Sequence, residues 1–439
     1  MRVGMRLGES SCRAVAVDGP VLHALVEEHG ATLEEAIDRV FARLGHAFGA
    51  DIAEATVDVG EVLAGRDMAE VIAVRISPRP PADAFHAIRL PEFVKSVVVR
   101  TVHVRGGHDM RGHVLAPLDV GTLRAELPWI LTGNVRNVAI TSVGSTAATE
   151  HETMVADAIL AYDSGAKISI SHDFYSNVFR DRDFTTVLNS ALIDTGEYLA
   201  AMLQDMGARH LPLSRLSYIK NDGGRAPLSR LATTPVHGLY PTWAARILGA
   251  ARLAGVRDGE IVVCRDRDVK VGRIRGGIPV SGTVMRRGRE ASLASNAVVI
   301  EPYSANHLDS LAIRSVVAEL IPDTDTHSPP THGLVPTVTT QHDIALVGCA
   351  TTPLTAWVDR LETITDEADL QRVQRIAEED AKFVTVQSGA SPALTEIVES
   401  NVFAMPYGHP GIVRIRVQAA GEIAYPNREE LPQATLAIR

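Results

Sequence analysis

Several residues of this chain combine imidazole and carboxylate groups at short spacing. His108, Asp109 and His113 share one glycine-bounded turn, GGHDMRGHVLAPLD; His151 follows, and then the adjacent pair His172-Asp173. Imidazole and carboxylate are good ligands for zinc or manganese, and imidazole also changes charge near neutral pH. His108, Asp109 and His113 are therefore candidate metal ligands, with capping and surface roles as the plain alternative. A His-x4-His spacing on a glycine-rich turn does not by itself fix a coordination geometry. His172 and Asp173 end a run, Lys167 to Ser171, that reads as a strand. Ligands in α/β proteins gather at strand C-terminal ends, so this pair is the candidate catalytic base or ligand pair. His327 and His332 fall in PDTDTHSPPTHGLVP, whose Pro and Thr content reads as an exposed loop.

A second kind of chemistry is suggested by two glycine-containing hairpins. In the stretch Glu260 to Pro279, Val262 and Val263 lead into Arg265-Asp266-Arg267-Asp268, a β-like run from Val269 to Ile274 follows, and Gly276-Gly277 closes it. The chain begins on the same plan: Val3 to Leu7, the bend Gly8-Glu9-Ser10-Ser11, then Cys12 to Val17. The repetition predicts a duplicated architecture. Cys12 and Cys264 each fall in one hairpin; with Cys349 they form an odd set without a Cys-x-x-Cys, so reduced structural thiols are expected.

The bulk of the chain limits the partners. Its 439 residues, 46% of them hydrophobic, suffice for two or three domains, each with its own core. Lys and Arg number 43 against 53 Asp and Glu, a formal charge of −10, which argues against nucleic acid or an anionic membrane as the main partner. The N-terminal MRVGMRLGESS lacks an apolar signal core and no run approaches a membrane span, which reads as a cytoplasmic protein.

The elements that must position these residues alternate. Thr32 and Glu35 predict a capping box for a helix whose stripe is Leu33, Ala36, Ile37, Val40, Phe41 and Leu44. Strands are predicted at Val71–Ile76, Val97–Val104, Asn137–Thr141 and Lys167–Ser171. Thr149 and Glu152 predict a second capping box, with Met154, Val155, Ala158 and Ile159 on one helix face, and a long helix is predicted over Thr185–Met206. The second half opens near Ala208 with a strand around Leu216–Lys220, the turn Asn221-Asp222-Gly223-Gly224 and a helix over Trp243–Ala254. Towards the end a charged helix, Asp366–Lys382, precedes a strand over Phe383–Val386, a small-residue turn Gln387 to Pro392, and another helix. The alternation means an α/β fold, divided here into residues 1–208 and 209–439.

In this order the chain resembles the hydantoinase A/5-oxoprolinase family. Gly106-Gly107-His108 through Pro117-Leu118-Asp119, Glu150-His151-Glu152, Ser171-His172-Asp173, Thr185 to Ala191, Asn221-Asp222-Gly223 and Pro336 to Thr339 are similar to successive family segments. The resemblance implies an actin/hexokinase/Hsp70-like duplicated fold, with two α/β domains around a nucleotide cleft. Family members use ATP and magnesium to open a cyclic amide of the hydantoin or 5-oxoproline type, or act as subunits of related carboxylases. They rely on two phosphate loops, Asp-x-Gly-Gly-Thr-x-Thr-Asp, whose glycines let backbone N–H groups approach phosphate.

This sequence departs from the family at those loops. Arg6 stands where the first leading Asp is expected, Glu9 replaces a glycine, and Cys12 and Arg13 replace the final Thr and Asp; Gly8 and Ser10 remain. Cys264 stands at the second leading Asp, and Arg265 to Asp268 replace the Gly-Gly-Thr run. The family's glycine-rich adenosine loop corresponds to Gln387-Ser388-Gly389-Ala390. The residual cofactor positions are thus Gly8, Ser10, Asp266, Asp268 and Gly389. A carboxylate about 4 Å from a phosphate charge costs roughly 1 kcal/mol even at the dielectric of water. No cofactor is therefore expected, and ATP with magnesium enters only if these loops still function. The reading is a degenerate relative, a structural or regulatory subunit beside a hydantoinase A-like or B-like chain or in a homo-oligomer. The alternatives are an ATP-dependent cyclic-amide hydrolase and an enzyme of altered chemistry using His172 and Asp173.

Overall fold

The computed structural model describes residues 1–19, 21–80, 91–265, 268–287, 291–303, 313–319, 335–405 and 411–423. The first hairpin forms as the sequence predicts. β1 (Arg2–Leu7) pairs antiparallel with β2 (Ser11–Asp18), and β3 (Val21–His29) extends it. Helix α1 (Leu33–Phe48) follows, its Thr32 hydroxyl accepting from Glu35 N while Glu35 reaches back to Ala31 N. All six residues of its predicted apolar stripe are buried. β4 (Glu54–Asp58) then runs parallel to β1.

A four-stranded sheet comes next, in the order β6-β5-β7-β8, from β5 (Val71–Ser77), β6 (Val98–Arg105), β7 (Asn137–Ser142) and β8 (Lys167–Ile170). Every ladder in it is parallel, so crossover connections cover its faces. The short helices α2 (Gly60–Gly65) and α3 (Glu92–Val97) precede β5 and β6. Ile72, Val74 and Ile76 turn toward α4 (Val120–Ile130) and α5 (Glu150–Tyr162). Val71 and Ala73 share the main core with Phe184, Val187 and Leu188 of α6 (Phe179–His210). Three sequence readings are corrected here. α6 begins at Phe179, well before Thr185. Thr149 makes no side-chain cap on α5, because Glu152 turns inward to other donors. Met154 is exposed, whereas Val155, Ala158 and Ile159 are buried.

β9 (Arg215–Ile219) returns to the first sheet, parallel to β4, and β10 (Arg225–Pro227) pairs beside it. The sheet continues through Leu354–Thr363, Ile412–Gly421 and Thr395–Ala404 to nine strands. Strands from both sides of residue 208 thus lie in one sheet. Helix α7 (Leu228–Thr233) leads to α8 (Thr242–Ala254). The second hairpin is β11 (Gly259–Arg265) with β12 (Asp268–Arg275), antiparallel; Ile313–Glu319 runs parallel to β11 and Val338–Thr340 parallel to that. These strand directions match β1, β2, β4 and β9 one for one, which is the duplication the two hairpins predict.

α9 (Ile344–Thr351) and α8 pack on each other between the two repeats, α9 with Leu346 and Ala350 against Val15 and Val17, α8 with Ile247 and Ala251 among Ile261, Val263 and Ile274. The helices touch backbone to backbone: a Cβ on Gly249 would lie 1.9 Å from the Ile344 carbonyl oxygen, and one on Gly348 1.8 Å from that of Ala245. The C-terminal region departs from expectation. α10 (Glu367–Gln387) runs through the predicted strand Phe383–Val386, and the turn at Gly389 leads into the strand Thr395–Ala404, not a helix. Phe383 is exposed on that helix. The apolar run 383–386 has no strand partner, since α10 already covers the sheet through Val373, Ala377 and Ala381.

Candidate functional site

The parallel sheet delivers its loops to one edge. β6 ends in Gly106-Gly107-His108, β7 in Val143-Gly144-Ser145, and β8 in Ser171-His172-Asp173, as expected for residues at strand C-termini. Glu152, in the first turn of α5, is fully buried behind them. Its Oε1 accepts from Ser142 N at 2.6 Å and from the Ser171 hydroxyl; its Oε2 accepts from His172 N at 3.0 Å and from His172 Nδ1 at 2.7 Å. The Ser145 and Ser171 hydroxyls stand 2.9 Å apart, and both residues are buried. Behind the carboxylate lies buried Arg182, which donates to the carbonyls of Ser142 and Ser176.

This arrangement fixes the tautomer of His172. Nδ1–H points at Glu152, so Nε2 is the nitrogen left for a proton acceptor or ligand. Burial works against the imidazolium, but the bond to Glu152 and the charges of Glu152 and Asp173 outweigh it, and the pKa is raised above its ordinary 6.5. Asp173 reaches solvent at the rim, where crowding by protein raises its carboxyl pKa against the lowering fields of His172 and Arg230. Phe174 turns the next residue inward, its ring 5.8 Å from that of His237. The loop is then tied to the nine-stranded sheet: the Arg414 guanidinium lies 4.2 Å from the Tyr175 ring and pairs with both carboxylate oxygens of Asp359.

The other histidines separate into two places. Buried His108 stacks near His151 with ring centroids 4.1 Å apart, while Gly107 N–H donates to His151 Nδ1. Burial and then His108 lower the His151 pKa. Asp109 and His113 instead bond to each other on the exposed turn, Asp109 Oδ1 accepting from the backbone N–H groups of Arg111 and His113. Those backbone bonds hold the Asp109 carboxyl below its ordinary range although partial desolvation opposes them. Among the described residues no group of three or more His, Cys, Asp or Glu is placed to hold a metal ion. Glu152 was not singled out as a site residue in the sequence, where its spacing from Thr149 looked like a cap. Its position two residues past the helix start, opposite a strand-end Ser-His, was the available signal.

The hairpin ends meet a different set of charges. Gly8 N–H donates to the Ser11 carbonyl, and exposed Ser10 accepts from Gly30 N through its own carbonyl. Asp268 is exposed and 3.5 Å from Lys270 Nζ, Asp266 lies outside the described residues, and Gly389 (φ +110°) accepts from Arg215 after α10. Cys12, Cys264 and Cys349 are free and buried; burial raises the Cys12 thiol and pushes Cys264 up to about 11. Arg6 and Asp58 are register partners at the end of the β1/β4 ladder, and Arg265 and Glu319 hold the equivalent positions in the second repeat. Arg6 lies 3.6 Å from Asp343, the N-cap of α9; Arg265 Nε donates to Glu319 at 3.1 Å; Thr242 of α8 donates to Asp58 at 3.1 Å. Arg246 joins through its interaction with Arg265, Glu319, Asp343 and Arg6. Burial raises the carboxyl pKa of Asp58, against the Gly60 N–H and Arg6; burial and then Asp343 raise that of Glu319.

This geometry is that of an actin/hexokinase-like ATPase-type fold. The chain superimposes on acetone carboxylase in its nucleotide-free structure, an enzyme of ATP-dependent acetone carboxylation, with a TM-score of 0.64, 12% identity and coverage of 97% of this chain and 88% of that one. It is similar also to the ATP-dependent caprolactamase from Pseudomonas jessenii, with a TM-score of 0.68, 10% identity and coverage of 99% and 89%. Residues 63–162 match the hydantoinase/oxoprolinase N-terminal region. The resemblance to the hydantoinase A/oxoprolinase family therefore holds over the segment carrying β5 to β7, Gly106-Gly107-His108 and Glu152, and the two solved structures share the fold of the chain. Among curated proteins none matches significantly. No helix among the described residues is long and apolar enough to cross a membrane.

Proposed function

We propose that this chain is a nucleotide-independent relative of the hydantoinase A/oxoprolinase-type proteins, acting as a structural or regulatory subunit of a hydantoinase- or carboxylase-type complex. One observation carries the reading. At the ends of both repeats, Arg6, Arg246 and Arg265 are balanced by Asp58, Asp343 and Glu319, so the cluster neutralises itself. A polyphosphate would have to displace those carboxylates from their arginines, each at a cost of several kcal/mol when the partner is left buried. The position where the family's first leading Asp is expected carries Arg6 on a strand end, and its structural counterpart in the second repeat is Arg265, with Cys264 buried one residue before it. These residues do not fit a metal-bound nucleotide. The partner is a hydantoinase A-like or B-like chain, the kind of assembly the family's carboxylase subunits form.

Isothermal calorimetry of the purified chain with ATP, with and without magnesium, tests this. No binding is expected. A Kd tighter than about 100 μM, roughly −5.5 kcal/mol, overturns the reading and favours an ATP-dependent hydrolase of a cyclic amide.

A further inference from the structure

The Glu152–His172 pair has the parts of an acid–base site that needs no nucleotide. Its carboxylate is fully buried and accepts four hydrogen bonds, two of them from His172. The imidazole is thereby held in one tautomer and one orientation, which is the job a buried carboxylate does for a catalytic histidine. The histidine itself keeps 21% of its side-chain surface open, so a small molecule can reach it. The serines are arranged differently from a nucleophile and its base. Ser171 donates to Glu152 and Ser145 lies 2.9 Å from the Ser171 hydroxyl, so the Ser171 hydroxyl is committed to the carboxylate and neither serine is aimed at the imidazole. Glu152 and Asp173 are balanced by Arg182 and Arg230, which act on these groups electrostatically. With His172 neutral, the four charges cancel, and an uncharged ligand fits better than an anion.

We propose that Glu152 and His172 form a general-base site that activates water against an uncharged acyl compound, an ester or amide. In that step His172 Nε2 takes a proton as the water oxygen bonds to the carbonyl carbon. The tetrahedral adduct then collapses, the bond to the leaving oxygen or nitrogen breaks, and the imidazolium returns the proton to the leaving group. No oxidant, metal or nucleotide enters the balance. His172 is the catalytic residue, Glu152 and Ser171 are positioning residues, and Arg414 holds the loop through Tyr175. The inference goes beyond the proposed subunit role and is independent of it, since ATP calorimetry does not bear on it.

p-Nitrophenyl acetate is the probe, with release of p-nitrophenolate followed from pH 5.5 to 9. The intact chain is compared with His172→Ala, Glu152→Gln and, as a control on the exposed turn, His113→Ala. General-base catalysis by a positioned histidine is worth about 10²–10⁴-fold, so His172→Ala is expected to lose about 100-fold or more and His113→Ala nothing. The basic form of His172 exists only above its pKa, so the rate rises with pH through a midpoint above 6.5; Glu152→Gln moves that midpoint down. An intact-chain rate no greater than that of free imidazole at equal concentration overturns the proposal, as does a full rate in His172→Ala. Should Glu152→Gln fail to fold, an NMR titration of His172 in the intact chain replaces it, and a midpoint at or below 6.5 overturns the role given to Glu152.

Discussion

Arg225 and Glu54 join β10 to β4 across β9, in the middle of the nine-stranded sheet. Two nitrogens of the guanidinium meet the two carboxylate oxygens, each at 2.8 Å, and both residues are 1% exposed. Arg225→Ala leaves the carboxylate in the interior beside Arg2, whose Nε is 3.4 Å away and whose Nη2 is engaged by Glu422 at 2.6 Å. Breaking a buried pair by removing one partner costs about 3–5 kcal/mol. Arg2 supplies part of the lost attraction, so a value near the low end, about 3 kcal/mol, is expected. Urea unfolding followed by the fluorescence of Trp129, Trp243 and Trp357 measures it. With an m-value of about 3 kcal/mol/M, the midpoint falls by about 1 M. The double variant Arg225→Met/Glu54→Leu buries no charge at either position and should recover most of the loss. A loss under about 1 kcal/mol for the single variant, or a double variant no more stable than the single, refutes the claim that desolvation dominates here.

Other outcomes follow from the packing and the titrating groups. Gly249→Ala drives a methyl into the Ile344 backbone, and Gly65→Ala meets nothing within 4 Å. The first should cost about 3 kcal/mol or leave the protein insoluble, and the second should stay within about 0.5 kcal/mol by thermal unfolding. His237 sits beside Phe174 with Nδ1 3.0 Å from the Ser295 hydroxyl, and desolvation followed by the Lys220 charge lowers its pKa to about 4. Its contribution is complete above pH 6.5, where both folded and unfolded chains hold it neutral. It is lost as pH falls through about 4, by about 3 kcal/mol in all. His237→Gln should therefore flatten the stability profile between those limits, and an unchanged acid limb would show that another group controls it.

Much of the fold is legible in local pattern. The stripe from Leu33 to Leu44 lies inward because helical spacing puts those residues on one face. The strands β5 to β8 form where β-branched residues recur, and Gly276 and Gly277 take positive φ in the turn that follows β12. Local pattern failed where a partner outside the window decided the outcome. Phe383–Val386 looks like a strand, yet α10 continues through it because Thr385 packs inward and Phe383 tolerates solvent. Thr149 and Glu152 have the spacing of a capping box, but four donors from β7 and the loop after β8 claim the Glu152 carboxylate first.

The sequence by itself determined the duplicated hairpins, the α/β alternation and the placing of His172 and Asp173 at a strand end. Each of these depends on residue identity and short-range spacing, which the chain carries in its order. Only the tertiary structure decided that Glu152 orients His172, that His108 stands with His151 while Asp109 turns to His113, and that Arg6 and Arg265 are matched by Asp58, Asp343 and Glu319. Apart from Asp109–His113, those pairings join residues far apart in the chain. The arginine cluster is fixed by the β1/β4 ladder, its counterpart in the second repeat and the α8/α9 contact, and the Glu152 and His151 contacts by the packing of α5 against the loops of the parallel sheet; a carboxylate buried by long-range packing takes whichever donors that packing brings to it.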